Sequence, residues 1–194
     1  LILSNPRMSL NPLQTIGDQI SSAILNHKEI SKKLALDMAL DMLTKVGIPD
    51  PKRRLKTYPH ELSGGMCQRV LIGIALINSP KVLLADEISS GLDVTVQRQV
   101  LDLLANLIND FRSSTMIVTR DFGVVANYCK RIIVMYEGEI VEIDNVSSFF
   151  DRAQHPISLK LLKSTFAAKG KREDDNDLNY SEPKNKDKYL IGSN

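Results

Sequence analysis

The sequence predicts an α/β fold with a parallel sheet core, a helical subdomain and a C-terminal β-hairpin. Three observations predict the core. Residues 82–85, Val-Leu-Leu-Ala, are an apolar run of strand length that reads as buried and ends on two carboxylates, Asp86 and Glu87. Residues 115–119, Thr-Met-Ile-Val-Thr, are short and rich in β-branched side chains, which reads as a second buried strand. Between them, Val96, Val100, Leu103, Leu104, Leu107 and Phe111 recur at helical spacing over 95–111. Strand, helix and strand in that order imply a parallel βαβ unit.

The other elements follow along the chain. Leu1 to Leu3 read as a short apolar strand end, followed by a loop with two Asn-Pro turns, Asn5-Pro6 and Asn11-Pro12. Leu13, Ile16, Ile20 and Ile24 mark an amphipathic helix within 13–30. Ser31 can cap a second helix carrying Leu36, Leu40 and Leu43 on one side, with Gly47 as its stop. Residues 48–61 read as a loop whose Lys52, Arg53, Arg54 and Lys56 form a solvated face, and His60 reads as structural. A helix opens at Gly64, turns Val70, Leu71, Ile74 and Ala75 inward, and stops at Asn78-Ser79-Pro80. Residues 131–136 and 139–143 flank Glu137-Gly138, a hairpin. Phe149-Phe150 belong to a short helix, and the charged, apolar-poor stretch from about 166 to 194 reads as a disordered tail.

Composition bounds the function. With 194 residues, 43% hydrophobic and 25% charged, the chain fits one soluble domain. A net charge of +2 gives no argument for nucleic acid. Cys67 and Cys129 lack metal-ligand spacing and read as two free thiols. No apolar run approaches the ~20 residues that span a bilayer, so any membrane role is expected through a partner. The chain opens on Leu1, which suggests an excerpt or a truncation.

Chemistry concentrates in residues 62–93. Ser63, Gly64 and Gly65 make a small-residue turn into a helix, whose exposed N–H groups and positive dipole end suit an anion. Asp86 at a strand tip suits Mg²⁺, and Glu87 beside it suits the positioning of water. Gly91, Leu92 and Asp93 then turn into the next helix. These are parts expected of a nucleotide triphosphatase.

The stretches LSGGMCQRV, VLLADE and SGLD resemble, in order and spacing, the signature motif, Walker B strand and D-loop of ABC-type ATPases. The resemblance implies a partial P-loop NTPase-like ABC ATPase fold over about 1–165, with a helical subdomain at about 13–60. It implies ATP and Mg²⁺ as cofactors, Asp86 at the metal and Glu87 as catalytic glutamate. It further implies that Ser63, Gly64, Gly65, Gln68 and Asp93 are nucleotide-binding positions. Residues 5–12, YPHELSGGM and the partly matching HPISLKLL are similar to the peptide and nickel importer group. There the chain would be a peripheral subunit on the cytoplasmic face of the membrane. Its partners would be a second ATPase subunit placed head to tail, two transmembrane permease subunits and, indirectly, an extracytoplasmic substrate-binding protein.

Three departures from that pattern carry mechanism. Ser4 stands where the family has the Q-loop glutamine, and Arg120 stands where it has the switch histidine. Arginine reaches a phosphate but does not exchange protons near neutral pH. A GxxxxGK[ST] phosphate loop, which in the family precedes the Q-loop, does not occur in these residues. The groups serving a partner's nucleotide are therefore intact and those serving the chain's own are altered, so action in trans, or none, is expected. Two other classes are a non-transport ABC ATPase acting on nucleic acid or ribosomes, and a non-catalytic remnant. The importer-like stretches favour the importer.

Overall fold

The expected βαβ unit forms. In the computed structural model, which describes residues 1–168, β1 (Val82–Asp86) runs parallel to β2 (Ser114–Val118), with Asp86 opposite Val118. Helix α6 (Val94–Phe111) makes the crossover. A bridge from Ile2 to Ala85, also parallel, adds a strand-like third row, and Asp86 N donates to Ile2 O at 2.9 Å. Residues following Ile2 are thereby carried past the C-terminal tip of β1.

β1 is not buried on both sides, contrary to the reading of its apolar run. Leu83 and Ala85 are buried while Val82 and Leu84 are exposed, and β2 alternates between half-buried Thr115 and Ile117 and exposed Ser114, Met116 and Val118, so it is not a buried strand either. Helices cover one face of this sheet, so one set of alternate side chains goes inside and the other does not.

The helical part precedes the sheet. After the single turn α1 (Pro6–Ser9) come α2 (Ile16–Leu25), capped by Thr15, and α3 (Lys32–Lys45), capped by Ser31 as expected. α2 buries Ile16, Ile20 and Ile24, whereas Leu13 lies ahead of the cap, on no helical stripe, and is exposed. α3 buries Ala35, Ala39, Met42 and Leu43, with Leu36 and Leu40 only half-buried. Its small alanines let it lie close to α2, which moves the contact line one residue from the leucine stripe. Gly47 ends it at φ +69°, a left-handed conformation open to glycine.

The segment read as a loop at 48–61 holds α4 (Pro51–Arg54) and a 3-10 turn, Pro59–Glu61. Both begin on proline, whose fixed φ suits a first helical position. Lys52, Arg53 and Lys56 are exposed, and His60 stacks on Tyr58 with ring centroids 5.8 Å apart. Helix α5 (Gly64–Leu76) packs against α1, α2, α3 and α6. It buries Cys67, Gln68, Val70, Ile72, Gly73 and Leu76, while the expected Leu71, Ile74 and Ala75 are half-buried.

Among the described residues, 1–120 make one compact unit and 121–168 another. Helix α7 (Phe122–Tyr128) leads to β3 (Arg131–Tyr136) and β4 (Glu139–Asn145), the expected antiparallel hairpin, turned by Glu137 and Gly138 at positive φ. α8 (Val146–Arg152) places Phe149 in a core with Ile132, Val134, Val146 and Leu162. α9 (Pro156–Ala168) follows; Glu142 accepts from Gln154 N and His155 N just ahead of it, which makes His155 a local structural contact. The helix reaches past the expected start of the charged tail, and the rest of that tail lies outside the described residues.

Candidate functional site

The tips of β1 and β2 lie side by side because their register pairs Asp86 with Val118. Glu87, one residue on, takes φ +49° and donates its N–H to Val118 O at 2.9 Å. That turn brings its carboxylate to Arg120. Oε1 of Glu87 accepts from Arg120 N and from Arg120 Nε, each at 3.1 Å. The positions expected of a catalytic glutamate and a switch residue are thus joined, with Arg120 holding the carboxylate by backbone and side chain together. The guanidinium is 89% exposed, so the ion pair itself stabilises little. Asp86 is exposed at the strand tip, and Ser4 is exposed on the segment that continues from the Ile2 bridge.

The second cluster is the start of α5. Ser63 is its N-cap, with Oγ accepting from Met66 N at 3.3 Å. Helix geometry leaves the N–H groups of Gly64 and Gly65 without intrahelical acceptors. Asp93 caps α6 in the same way, accepting from Val96 N at 3.0 Å. The two helix starts lie together: a Cβ on Gly65 would sit 2.7 Å from Val96 Cγ1, and one on Gly64 would meet Leu92 at 3.9 Å. Gly65 is therefore a close-approach glycine as well as a donor position.

This contact predicts a change of sign. Gly65→Ala is expected to cost about 1–3 kcal/mol through the clash with the stiff Val96 side chain. In a Val96→Ala background the same change should stabilise, through helix propensity worth up to about 1 kcal/mol. Urea midpoints of the four proteins check it, and equal effects in both backgrounds would remove Val96 from the account.

Gln68 lies apart from the helix start. It is fully buried, and among the described residues neither amide atom has a hydrogen-bond partner. Its position four residues before Ile72 and eight before Leu76 puts it on the inward stripe of α5. A signal was legible in that spacing. An unpaired buried amide costs free energy, so Gln68→Met, of similar volume, is expected to raise stability by about 1–3 kcal/mol. A lowered urea midpoint would show that the amide is needed where it stands.

Three side chains fix α5 to its surroundings, and the sequence reading missed them. Arg7 reaches Leu62 O at 3.5 Å, Arg69 Nη1 donates to Val46 O at 3.1 Å, and Asn78 Nδ2 donates to Ala23 O at 2.7 Å. A basic or amide side chain aimed at the end of a neighbouring helix satisfies its orphan carbonyls, and no spacing within one helix announces that. Cys67 Sγ lies 3.5 Å from Pro59 O, and burial pushes its thiol up, against a smaller opposing effect of Arg7, so it stays an inert thiol. Both described cysteines are free, as expected.

Oxygen donors at the β1 tip suit a hard cation. Among the described residues no three metal-ligating side chains converge. An ion at Asp86 would therefore take most of its ligands from phosphate and water, which is the usual Mg²⁺ pattern.

The profile of the ABC transporter family matches residues 4–90. The dipeptide transport ATP-binding protein DppD of Bacillus subtilis is 46% identical over 164 residues, 84% of this chain and 49% of that protein. The chain thus spans about half the length of the curated relatives it matches. Among solved structures, a dimeric post-hydrolysis state of the ATP-binding cassette MJ0796, bound to ADP and Pi, aligns with TM-score 0.62 at 27% identity, over 74% of this chain and 62% of that one. CbiO1 of Clostridium perfringens, part of the ABC transporter complex cbiONQ, aligns with TM-score 0.68 at 24% identity, over 87% of this chain and 66% of that one, a likeness of fold.

Proposed function

We propose that the chain, which matches the ABC transporter profile over residues 4–90 and is 46% identical to DppD over 164 residues, is an ATP-binding protein that serves a peptide importer and exerts its chemistry in trans. The observation that carries this is the start of α5. Ser63, Gly64 and Gly65 present backbone donors and the positive end of a 13-residue helix, locked by Gly65 against the Asp93-capped start of α6. Such a surface suits a terminal phosphate held by another subunit. Peptide transport is the role named for DppD, and nickel has no such support.

On this reading each group has a task. Ser63 holds the first turn of α5 in place, and the N–H groups of Gly64 and Gly65 meet the partner's γ-phosphate. Asp93 keeps the neighbouring helix start rigid at the subunit seam. Asp86 would hold Mg²⁺, which when bound neutralises phosphate charge. Glu87 would orient or deprotonate water, but Arg120 occupies Oε1 with two donors, and Arg120 passes no proton of its own. The chain's own site is built for little turnover. Among the described residues no helix is long and apolar enough to cross a membrane, so association with a bilayer would run through permease subunits.

The test is the ATPase rate of full-length DppD alone, of this chain alone, and of the two mixed. Turnover of the chain alone should not exceed a Glu87→Gln control, and the mixture should exceed DppD alone. A mixture no faster than DppD would make the α5 start idle and leave a non-catalytic remnant as the reading.

A further inference from the structure

Arg7 stands at the entrance to α5. Helix α1, which carries it, packs against α5, and its Nη2 donates to Leu62 O at 3.5 Å. Leu62 immediately precedes the Ser63 cap. A guanidinium has five N–H donors and stays charged at any ordinary pH. The Leu62 carbonyl occupies one of those donors and neutralises none of the charge. The side chain is exposed, and among the described residues no carboxylate pairs with it. Its charge is felt inside the helix: burial pushes the Cys67 thiol up, and Arg7 acts against that rise.

The same helix start has a neighbour of the opposite sign. Gly64 and Gly65 lie against Leu92 and Val96, which bracket the exposed α6 cap, Asp93. A phosphate arriving at the backbone donors therefore also meets a carboxylate, and like charges repel. A cation at Leu62 offsets that repulsion. We infer that Arg7 is a further ligand for the phosphate that approaches the start of α5, and supplies the full charge that Gly64 and Gly65 lack. This rests on the trans reading of that helix start. Arginine suits the task because its planar fork takes two phosphate oxygens at once. Its present contact is long for a hydrogen bond and exposed, so the guanidinium is free to turn toward an anion.

Two measurements test it. In the first, inorganic triphosphate is titrated into the chain alone while the amide signals of Gly64 and Gly65 are followed by NMR. Arg7→Met, which keeps the aliphatic stem, should raise the Kd by at least about tenfold, the size of a charge-assisted hydrogen bond. Arg7→Lys should recover part of that loss, since it restores the charge without the fork. In the second, ATP is varied in the mixture with full-length DppD. Arg7→Met should raise the KM of the stimulated rate by a similar factor, more than it lowers kcat. A lowered kcat or urea midpoint with Kd and KM unchanged would make Arg7 only an anchor of α5 and overturn the inference. Triphosphate that leaves the Gly64 and Gly65 signals unmoved would overturn it as well. Triphosphate binding weakened by Arg7→Met, without stimulation of DppD, would leave this inference standing and sink the trans reading. Stimulation with Kd and KM unaltered in Arg7→Met would do the reverse.

Discussion

Ser63→Arg is expected to return a mixture of this chain and DppD to the ATPase rate of DppD alone. The long cationic side chain would stand at the start of α5, where the phosphate must approach, and would place positive charge at the positive end of the helix dipole. It also removes the Oγ that accepts from Met66 N, and loss of an N-cap costs about 0.5–2 kcal/mol. Ser63→Ala separates the two effects, because it loses the cap and leaves the approach open, and it should keep a measurable stimulation. Glu87→Gln should change the stimulated rate least, since that carboxylate faces the chain's own site and is held by Arg120. A Glu87→Gln loss as deep as that of Ser63→Arg would show that the chain turns over its own nucleotide.

Phe149→Ala is expected to remove a large share of the stability of the second unit. Phe149 is fully buried among Ile132, Val134, Val146 and Leu162. It stacks on Phe122 at 6.1 Å and meets Phe150 edge-on at 5.8 Å. Truncating such a side chain costs about 3–5 kcal/mol, against a whole-domain stability of about 5–15 kcal/mol. Amide exchange should accelerate in β3 and β4 and stay unchanged in β1 and β2, which belong to the first unit. Equal acceleration in both sheets would show that the two units unfold together. Phe150→Ala, at a half-buried position, should cost less.

Much of this was legible in the sequence, for reasons that differ by element. The β1–α6–β2 order, the hairpin with its Glu137-Gly138 turn and the caps Ser31 and Gly47 rest on local chemistry that tertiary packing did not override. Which face of a strand is covered is not local. Val82 to Ala85 are all apolar, so their alternation could only come from where the helices lie. The one-turn helices at Pro51 and Pro59 are too short for any periodicity, although proline in a first helical position was a usable sign. In the candidate site, Ser63, Asp86, Glu87 and Asp93 stand at helix starts and a strand tip, as their motifs imply. The hold of Arg120 on Glu87 was not readable, because it depends on the register of two strands separated by the whole of α6.

The three side chains that clamp α5 give the helix a mechanical character. It is anchored to α1 near its start, to the end of α3 in its middle and to α2 just beyond its end. At 13 residues it is a rod about 20 Å long. Tilting it by about 5° about the Asn78 anchor swings the Ser63 end by about 1.7 Å, enough to break a hydrogen bond of ordinary length. On the proposed reading, a push on α2 or α3 would therefore be felt at Gly64 and Gly65, at the far end of the rod.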